Sequence, residues 1–202
     1  MGCKRKNWES FGGWIILLLI RFYFEIFCKV MSDKLEIVLV DENDQEIWLG
    51  EKMNVHQKWL LHRAISVLIF NKKWEMLLQQ RALNKYHCGW MWSNATCTHP
   101  FPGESNIDAA NRRLKEEMWF DTEIKEIFEF HYTAHFDNWL TENEYDHVFL
   151  WYYDGEMNLN PDEVADYKWI SIEDLKKDIV EKSESYTQWF KIILEKYFQL
   201  KK

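Results

Sequence analysis

Apolar and polar positions change rhythm several times along this chain, and each change marks an element. Leu35 to Val40 is a short apolar run that reads as a strand, stopped by the turn-forming Asp41-Glu42-Asn43-Asp44. Ala64 to Phe70 is apolar and β-branched. Asn71-Lys72-Lys73-Trp74 then turns the chain into a second strand, Glu75 to Gln80. From Ser105 the period lengthens. Ile107, Ala110, Leu114 and Met118 follow helical spacing, with Ser105 as N-cap and Asp108 as its acidic partner in a weak capping box. Two aromatic-rich strands follow, Ile124 to Ala134 and Tyr145 to Tyr153, joined by HFDNWLTENE. A short strand at Tyr167 to Ile170 meets a helix over Ile172 to Glu181, and a last helix spans Tyr186 to Leu200. Strands and helices mixed in this way, without repeats or an interdomain linker, predict an α+β fold. It is a mixed sheet covered by helices, in a single domain.

The first 30 residues do not share this pattern. MGCKRK followed by WIILLLIRFYFEIF has the basic-then-apolar order of an anchor, but Arg21 and Glu25 interrupt it. The clean apolar core, Trp14 to Ile20, falls short of the roughly 20 residues a bilayer span requires. Gly2-Cys3 suggests dual acylation, yet Lys6 stands where that signal has Ser or Thr. The other reading is a non-functional extension ahead of a start at Met31. No function is assigned to residues 1–30, and membrane association through them is disfavoured. Residues 31–202 are one domain's worth of chain, enough to bury about 70 % of the surface exposed when unfolded.

A net charge of −8 disfavours nucleic acid or an anionic membrane as the main partner. An anionic substrate would need cations gathered locally. The cysteines (Cys3, Cys28, Cys88, Cys97) show no framework spacing and no CxxC pair, which points to a reducing cytoplasm and a thiol role for any functional cysteine.

Candidate chemistry gathers around Trp92 to Phe120. Cys97 and His99 stand two apart in a polar loop, ahead of a helix whose end carries Arg112, Arg113, Glu116 and Glu117. His56 and His62 flank a short segment before the first central strand. Glu142 and Glu144 alternate, so an extended chain there turns both carboxylates to one side. His56, His62, His99, Glu142 and Glu144 would suit Zn²⁺, Mn²⁺ or Mg²⁺ in a site with more than four ligands. Taken singly, each histidine reads more readily as an ordinary loop residue. That reading is kept for His87, His131, His135 and His147, and Glu116 reads as a solvated helix charge. Spacing alone does not pick out the five.

The segments NVHQKWLLHRAISVLIFN, SNATCTHPFPGES, RRLKEEM and LTENEYDHVF together resemble type I isopentenyl-diphosphate isomerase, a branch of the Nudix superfamily. The resemblance spans nearly all of residues 31–202 and implies a Nudix-like mixed sheet sandwiched between helices. In the Nudix box, Thr98 takes the leading Gly position, while Glu104, Arg112, Leu114, Glu116, Glu117 and Phe120 agree. Arg113 stands where Nudix hydrolases have the glutamate of an Arg-Glu pair. That loss should weaken Mg²⁺-assisted hydrolysis, and an arginine suits a diphosphate.

The implied reaction converts isopentenyl diphosphate to dimethylallyl diphosphate through a tertiary carbocation-like species. Carried over by motif position, Cys97 and Glu144 form the acid–base pair on opposite faces of the substrate, Tyr132 assists protonation, and Trp189 faces the cation. Lys52, Arg81, Lys85 and Arg113 bind the diphosphate with Mg²⁺ on Glu117. A further Mg²⁺, Mn²⁺ or Zn²⁺ ion sits on His56, His62, His99, Glu142 and Glu144. Without that context Lys52 and Lys85 read as surface lysines, and Tyr132 and Trp189 as core aromatics among 9 Tyr and 12 Trp. A cytoplasmic monomer or weak dimer acting on a small isoprenoid diphosphate is expected. Two other readings stand beside it: a Nudix-type diphosphate hydrolase and a degenerate, non-catalytic copy. The last draws on Trp59, Trp74, Trp90, Trp119 and Trp139, which occupy turn or cap positions where the family has mostly glycine. A bulky residue at positive φ costs about 1–3 kcal/mol, so stability, or access past Trp90, is expected to be more at risk than the chemistry.

Overall fold

The computed structural model describes residues 35–85, 87–136 and 140–201. The extension 1–30 and Trp139 therefore lie outside the described residues. The chain builds strands β1 (Glu36–Val40) and β2 (Glu46–Glu51), helix α1 (Lys52–Gln57), and strands β3 (His62–Phe70) and β4 (Glu75–Arg81). Two short strands, β5 (Trp92–Ser93) and β6 (Thr96–Thr98), lead to helix α2 (Asn106–Met118). Strands β7 (Lys125–His135), β8 (Thr141–Tyr152) and β9 (Val164–Ser171) follow, then α3 (Ile172–Glu181), a 3₁₀ turn (Ser183–Ser185) and α4 (Gln188–Leu200).

The strands join in one mixed sheet. Its path runs β2-β1-β3-β4-β5, with β6 and β8 also paired to β3, β7 to β8 and β9 to β4. At its centre β3 and β8 run parallel, bringing His62 opposite Glu144 and Ser66 opposite Val148. β7 and β8 are antiparallel, with Tyr132 opposite Glu144 and Ala134 opposite Glu142.

Alternation along β3 explains why helices cover both faces. Ile65, Val67 and Ile69 pack with Leu77 and Phe149 against Ala109, Ala110, Leu114 and Met118 of α2. Leu68 and Phe70 pack on the other face with Leu175, Phe190, Ile193, Leu194 and Tyr197 of α3 and α4. A strand buried on both faces must be apolar throughout, which is why β3 reads as an unbroken hydrophobic run. Beyond His62 and Arg63 at its start, Ser66 breaks the run, and its hydroxyl meets Cys97 and Asp146.

Helix α2 is capped by Ser105, whose hydroxyl accepts from the Asp108 N–H and donates to the Asp108 carboxylate at 2.5 Å. Of the expected apolar face, Ala110, Leu114 and Met118 are buried against the sheet and Ile107 is not. Ile107, in the first turn, is exposed, and Ala109 and Glu117 join the buried face. Further corrections follow from length and exposure. β2 is largely solvent-facing and carries no alternation, and α1 and β5–β6 are shorter than any periodic window. β8 begins at Thr141, so Glu142 and Glu144 are extended as required. The last helix starts at Gln188, since Tyr186 is extended after the 3₁₀ turn.

The tryptophans stand in the backbone region that favours glycine. Trp59, Trp74, Trp90 and Trp119 have φ of 60°, 63°, 70° and 59°. A left-handed residue with a side chain costs roughly 1–2 kcal/mol. All four rings are exposed, so burial offsets little of that cost, although Trp74 meets Tyr152 edge-on at 5.3 Å and Trp59 lies 5.2 Å from His135.

Candidate active site

A cavity of about 450 Å³ opens between the start of β8, the β6–α2 loop and the start of α4. Every candidate site residue lines it except His56 and His62, which are buried immediately behind.

The histidines arrive on different elements. His56 sits on α1 and His62 opens β3. His99 follows β6, and Glu142 and Glu144 project from β8 to one side of the sheet. One ligand atom from each of the five lies within 4.8 Å of all the others. The His56 Nδ1 lies 2.6 Å from the Lys52 carbonyl and the His62 Nδ1 2.8 Å from the Leu60 carbonyl. A carbonyl only accepts, so Nδ1 carries the proton and each Nε2 presents a bare lone pair. His56 Nε2 stands 2.9 Å from Glu142 Oε2, yet neither atom makes a hydrogen bond. Two lone pairs brought together in a buried place point at a common cation rather than at each other, and backbone-anchored imidazoles are the usual support for a metal ligand. This donor set is able to hold a divalent metal ion.

Electrostatics follow from the burial. Desolvation pushes the Glu144 carboxyl up, and the neighbouring Glu142 charge adds to it. Desolvation also acts on Glu142, but the His56 and His87 imidazoles beside it outweigh that and hold its carboxyl well below the usual range. His99 is held well down, first by desolvation and then by Lys52 and the other two imidazoles. Tyr132 donates to Glu144 Oε2, and burial followed by the Glu144 charge keeps its phenol protonated.

Cys97, on β6, also lines the cavity. Burial, then the Asp146 charge, pushes its thiol well up. Asn94 lies 3.2 Å from its sulfur through both amide atoms, and Ser66 Oγ lies 3.5 Å away while donating to Asp146. Trp189 comes from α4, where its indole N–H donates to Ser93 Oγ at 2.9 Å and the Arg81 guanidinium lies 5.2 Å from its ring centre.

The cation end collects Lys52, Arg81, Lys85 and Arg113. Lys52 and Lys85 are part of the cavity wall rather than the outer surface, and desolvation lowers both amines. Arg113 reaches Glu117 at 2.7 Å and Glu116 at 3.0 Å. Glu117 is buried and also accepts from Gln79 and Thr96. Glu116 stays at the solvent edge, as expected.

Two residues were missed. His87, read as an ordinary loop residue, lines the cavity 3.3 Å from Glu142 and stacks on Phe136. No spacing relates it to the other ligands, because the loop after β4 delivers it. Glu163, at the mouth of β9, bonds Lys85 and Arg113; the expected strand began too late to single it out. His147 is also buried, but between Asp44 and Glu126 away from the cavity.

The NUDIX domain family matches residues 60–190. An isopentenyl-diphosphate Delta-isomerase 2 of Aromatoleum aromaticum is 44% identical over 161 residues, covering 80% of this chain and 85% of that protein. One from Photorhabdus laumondii is 46% identical over 158 residues, covering 78% and 89%. This chain belongs to the isopentenyl-diphosphate Delta-isomerase family. Among solved structures, DR0079 from Deinococcus radiodurans superposes with a TM-score of 0.60 at 16% identity, covering 72% of this chain and 89% of that one. A MutT protein from Methanosarcina mazei gives 0.57 at 21%, covering 70% and 96%. These two share the fold. β1, β2 and α1 of this chain lie ahead of the NUDIX match; α1 brings Lys52 to the cavity wall and holds His56 buried behind it. Among the described residues no helix is long and apolar enough to cross a membrane.

Proposed function

We propose that this protein interconverts isopentenyl diphosphate and dimethylallyl diphosphate by proton transfer at both ends of a three-carbon unit. The observation that carries the reading is the pair of bare imidazole lone pairs converging with Glu142 and Glu144 in a cavity that also holds a buried thiol. The isomerase relatives support it over hydrolysis, and Arg113, engaged with Glu116, Glu117 and Glu163, leaves no carboxylate at that Nudix-box position to activate water.

Lys52, Arg81, Lys85 and Arg113 would grip the diphosphate, with Mg²⁺ on Glu117. Glu144, its proton affinity raised by burial, gives a proton to the terminal alkene carbon while Tyr132 holds the carboxyl in place. Cys97 is the other member of the acid–base pair, facing the carbon on the other side, and the double bond moves between them. The positive charge that develops is met by the Trp189 ring, an attraction of up to about 2 kcal/mol in a dry site. Close walls exclude water, which would otherwise trap the cation. A divalent ion on His56, His62, His99, Glu142 and Glu144, whether Mg²⁺, Mn²⁺ or Zn²⁺, would fix Glu144 and adjust its acidity.

An isomerase assay on metal-supplemented protein tests this. Dimethylallyl diphosphate should form, and Cys97→Ala should reduce the rate by about 10²–10⁴. Phosphate release from nucleoside diphosphate sugars without isomerisation would establish the hydrolase instead. No activity in the parent protein, and none for Cys97→Ala to lose, would establish a degenerate copy.

A further inference from the structure

The four cations that line the cavity are expected to meet a diphosphate, yet two of them already share an anion. Lys85 Nζ and Arg113 Nη2 both converge on one oxygen of Glu163, Oε2. The other acidic neighbours of Arg113 have further partners: Glu117 accepts from Gln79 and Thr96, and Glu116 from Arg112. Among the described residues, the Glu163 carboxylate meets these two cations.

Its backbone is fixed on both sides. The Glu163 N–H donates to the Asn160 carbonyl at 3.0 Å, and the Glu163 carbonyl accepts from the Ala82 N–H at 3.0 Å. β4 and β9 pair Arg81 with Val164. The carboxylate is thereby aimed from the start of β9 across the loop that carries Lys85. Its side chain is 24% exposed, enough to swing toward water when displaced. Desolvation opposes its charge, but Arg113 and Lys85 outweigh that and hold its carboxyl below the usual range.

We infer that Glu163 is an internal counter-anion in the diphosphate seat, which neutralises Lys85 and Arg113 and yields them when a diphosphate enters. The inference rests on the reading of this cavity as a diphosphate site. A phosphate oxygen can take the position of Oε2 only as the carboxylate gives way, so each binding event exchanges one anion for another. Both isoprenoid diphosphates carry the same head group, so the exchange acts on substrate and product alike. It weakens both complexes without favouring the transition state, and its use is to let product leave.

Titration calorimetry with inorganic pyrophosphate, run with saturating Mg²⁺ and again in EDTA, provides the test, using the full chain as wild type, Glu163→Gln and Glu163→Asp. Removing the competing charge with the nearly isosteric glutamine should tighten pyrophosphate binding by on the order of ten-fold. Aspartate, which keeps the charge on a shorter stem, should fall between. The glutamine variant should also melt somewhat lower, since Lys85 and Arg113 lose a partner, while remaining folded by circular dichroism. Unchanged or weaker binding in Glu163→Gln would overturn the inference; weaker binding that appears only with Mg²⁺ would make Glu163 a metal ligand instead. If wild type and both variants all fail to bind pyrophosphate, the diphosphate seat itself is refuted, and the counter-anion with it.

Discussion

Replacing Arg113 with glutamine removes the positive charge that sits against a buried carboxylate. Glu117 has a side chain only 3% exposed and lies 2.7 Å from the guanidinium. Breaking a fully buried pair costs about 3–5 kcal/mol. Two features reduce this. Arg113 is itself 19% exposed, and Glu117 keeps its hydrogen bonds from Gln79 at 2.9 Å and Thr96 at 2.6 Å. A loss of about 2 kcal/mol remains, or roughly 4–8 °C in melting temperature for a domain of this size. The assay is thermal unfolding at neutral pH, with EDTA and then with Mg²⁺. Because a cation is what Glu117 then lacks, Mg²⁺ should restore more of the melting temperature in the variant than it adds to wild type. Arg113→Lys should be intermediate, keeping the charge but not the fork that meets Glu116, Glu117 and Glu163 together. A variant melting within about 1 °C of wild type in EDTA would refute the reasoning about the pair. An equal response to Mg²⁺ in both proteins would refute the claim that Glu117 is the group left wanting.

Other outcomes follow from the same coordinates. Adding Mn²⁺, Zn²⁺ or Mg²⁺ to chelated protein at about 100 times the dissociation constant should stabilise it by roughly 2.7 kcal/mol. His62→Ala should abolish most of that shift, and an undiminished shift would rule out the five-residue site. Trp119→Gly should raise the melting temperature by about 2 °C, because relief of left-handed strain exceeds the added freedom of the unfolded chain. Trp74→Gly should gain less, since it gives up the edge contact with Tyr152; the reverse order in differential scanning fluorimetry would contradict the strain argument. Hydrogen bonds from Lys182, then Tyr186, lower the Asp178 carboxyl to about 2. A depressed folded value means this stabilisation is present above the ordinary carboxylate range and lost as pH falls toward 2. Asp178→Asn should therefore destabilise at neutral pH and flatten the acid limb measured by circular dichroism, whereas parallel curves would refute that role.

What could be read from the letters depended on how far each element announces itself locally. β3 is apolar because it is covered twice, and α2 has a hydroxyl cap and a helical period, so both were legible. β2 has no such pattern, since Ile47 and Trp48 are adjacent and both exposed. α1 is a six-residue helix held by the Glu51 side chain on the N–H groups of Met53 and Asn54, too short for a period to appear. The five metal-ligand candidates were nameable through the family resemblance and not through spacing, because they come from α1, β3, the loop after β6, and β8. His87 and Glu163 had neither advantage. Each reaches the cavity by way of a loop or strand start whose position is set by pairing in the sheet. The strained tryptophans, in contrast, were legible one by one, since turns and helix ends restrict φ locally.

The pairing of β3 with β8 and of β7 with β8 sets His62, Glu144 and Tyr132 on one rung. The centre of this pocket is thus ruled by the ladder itself. An insertion of one residue inside β8 would turn Glu142 and Glu144 away together, so adjustment of the ligand cage is open to side-chain exchange but closed to drift in strand length.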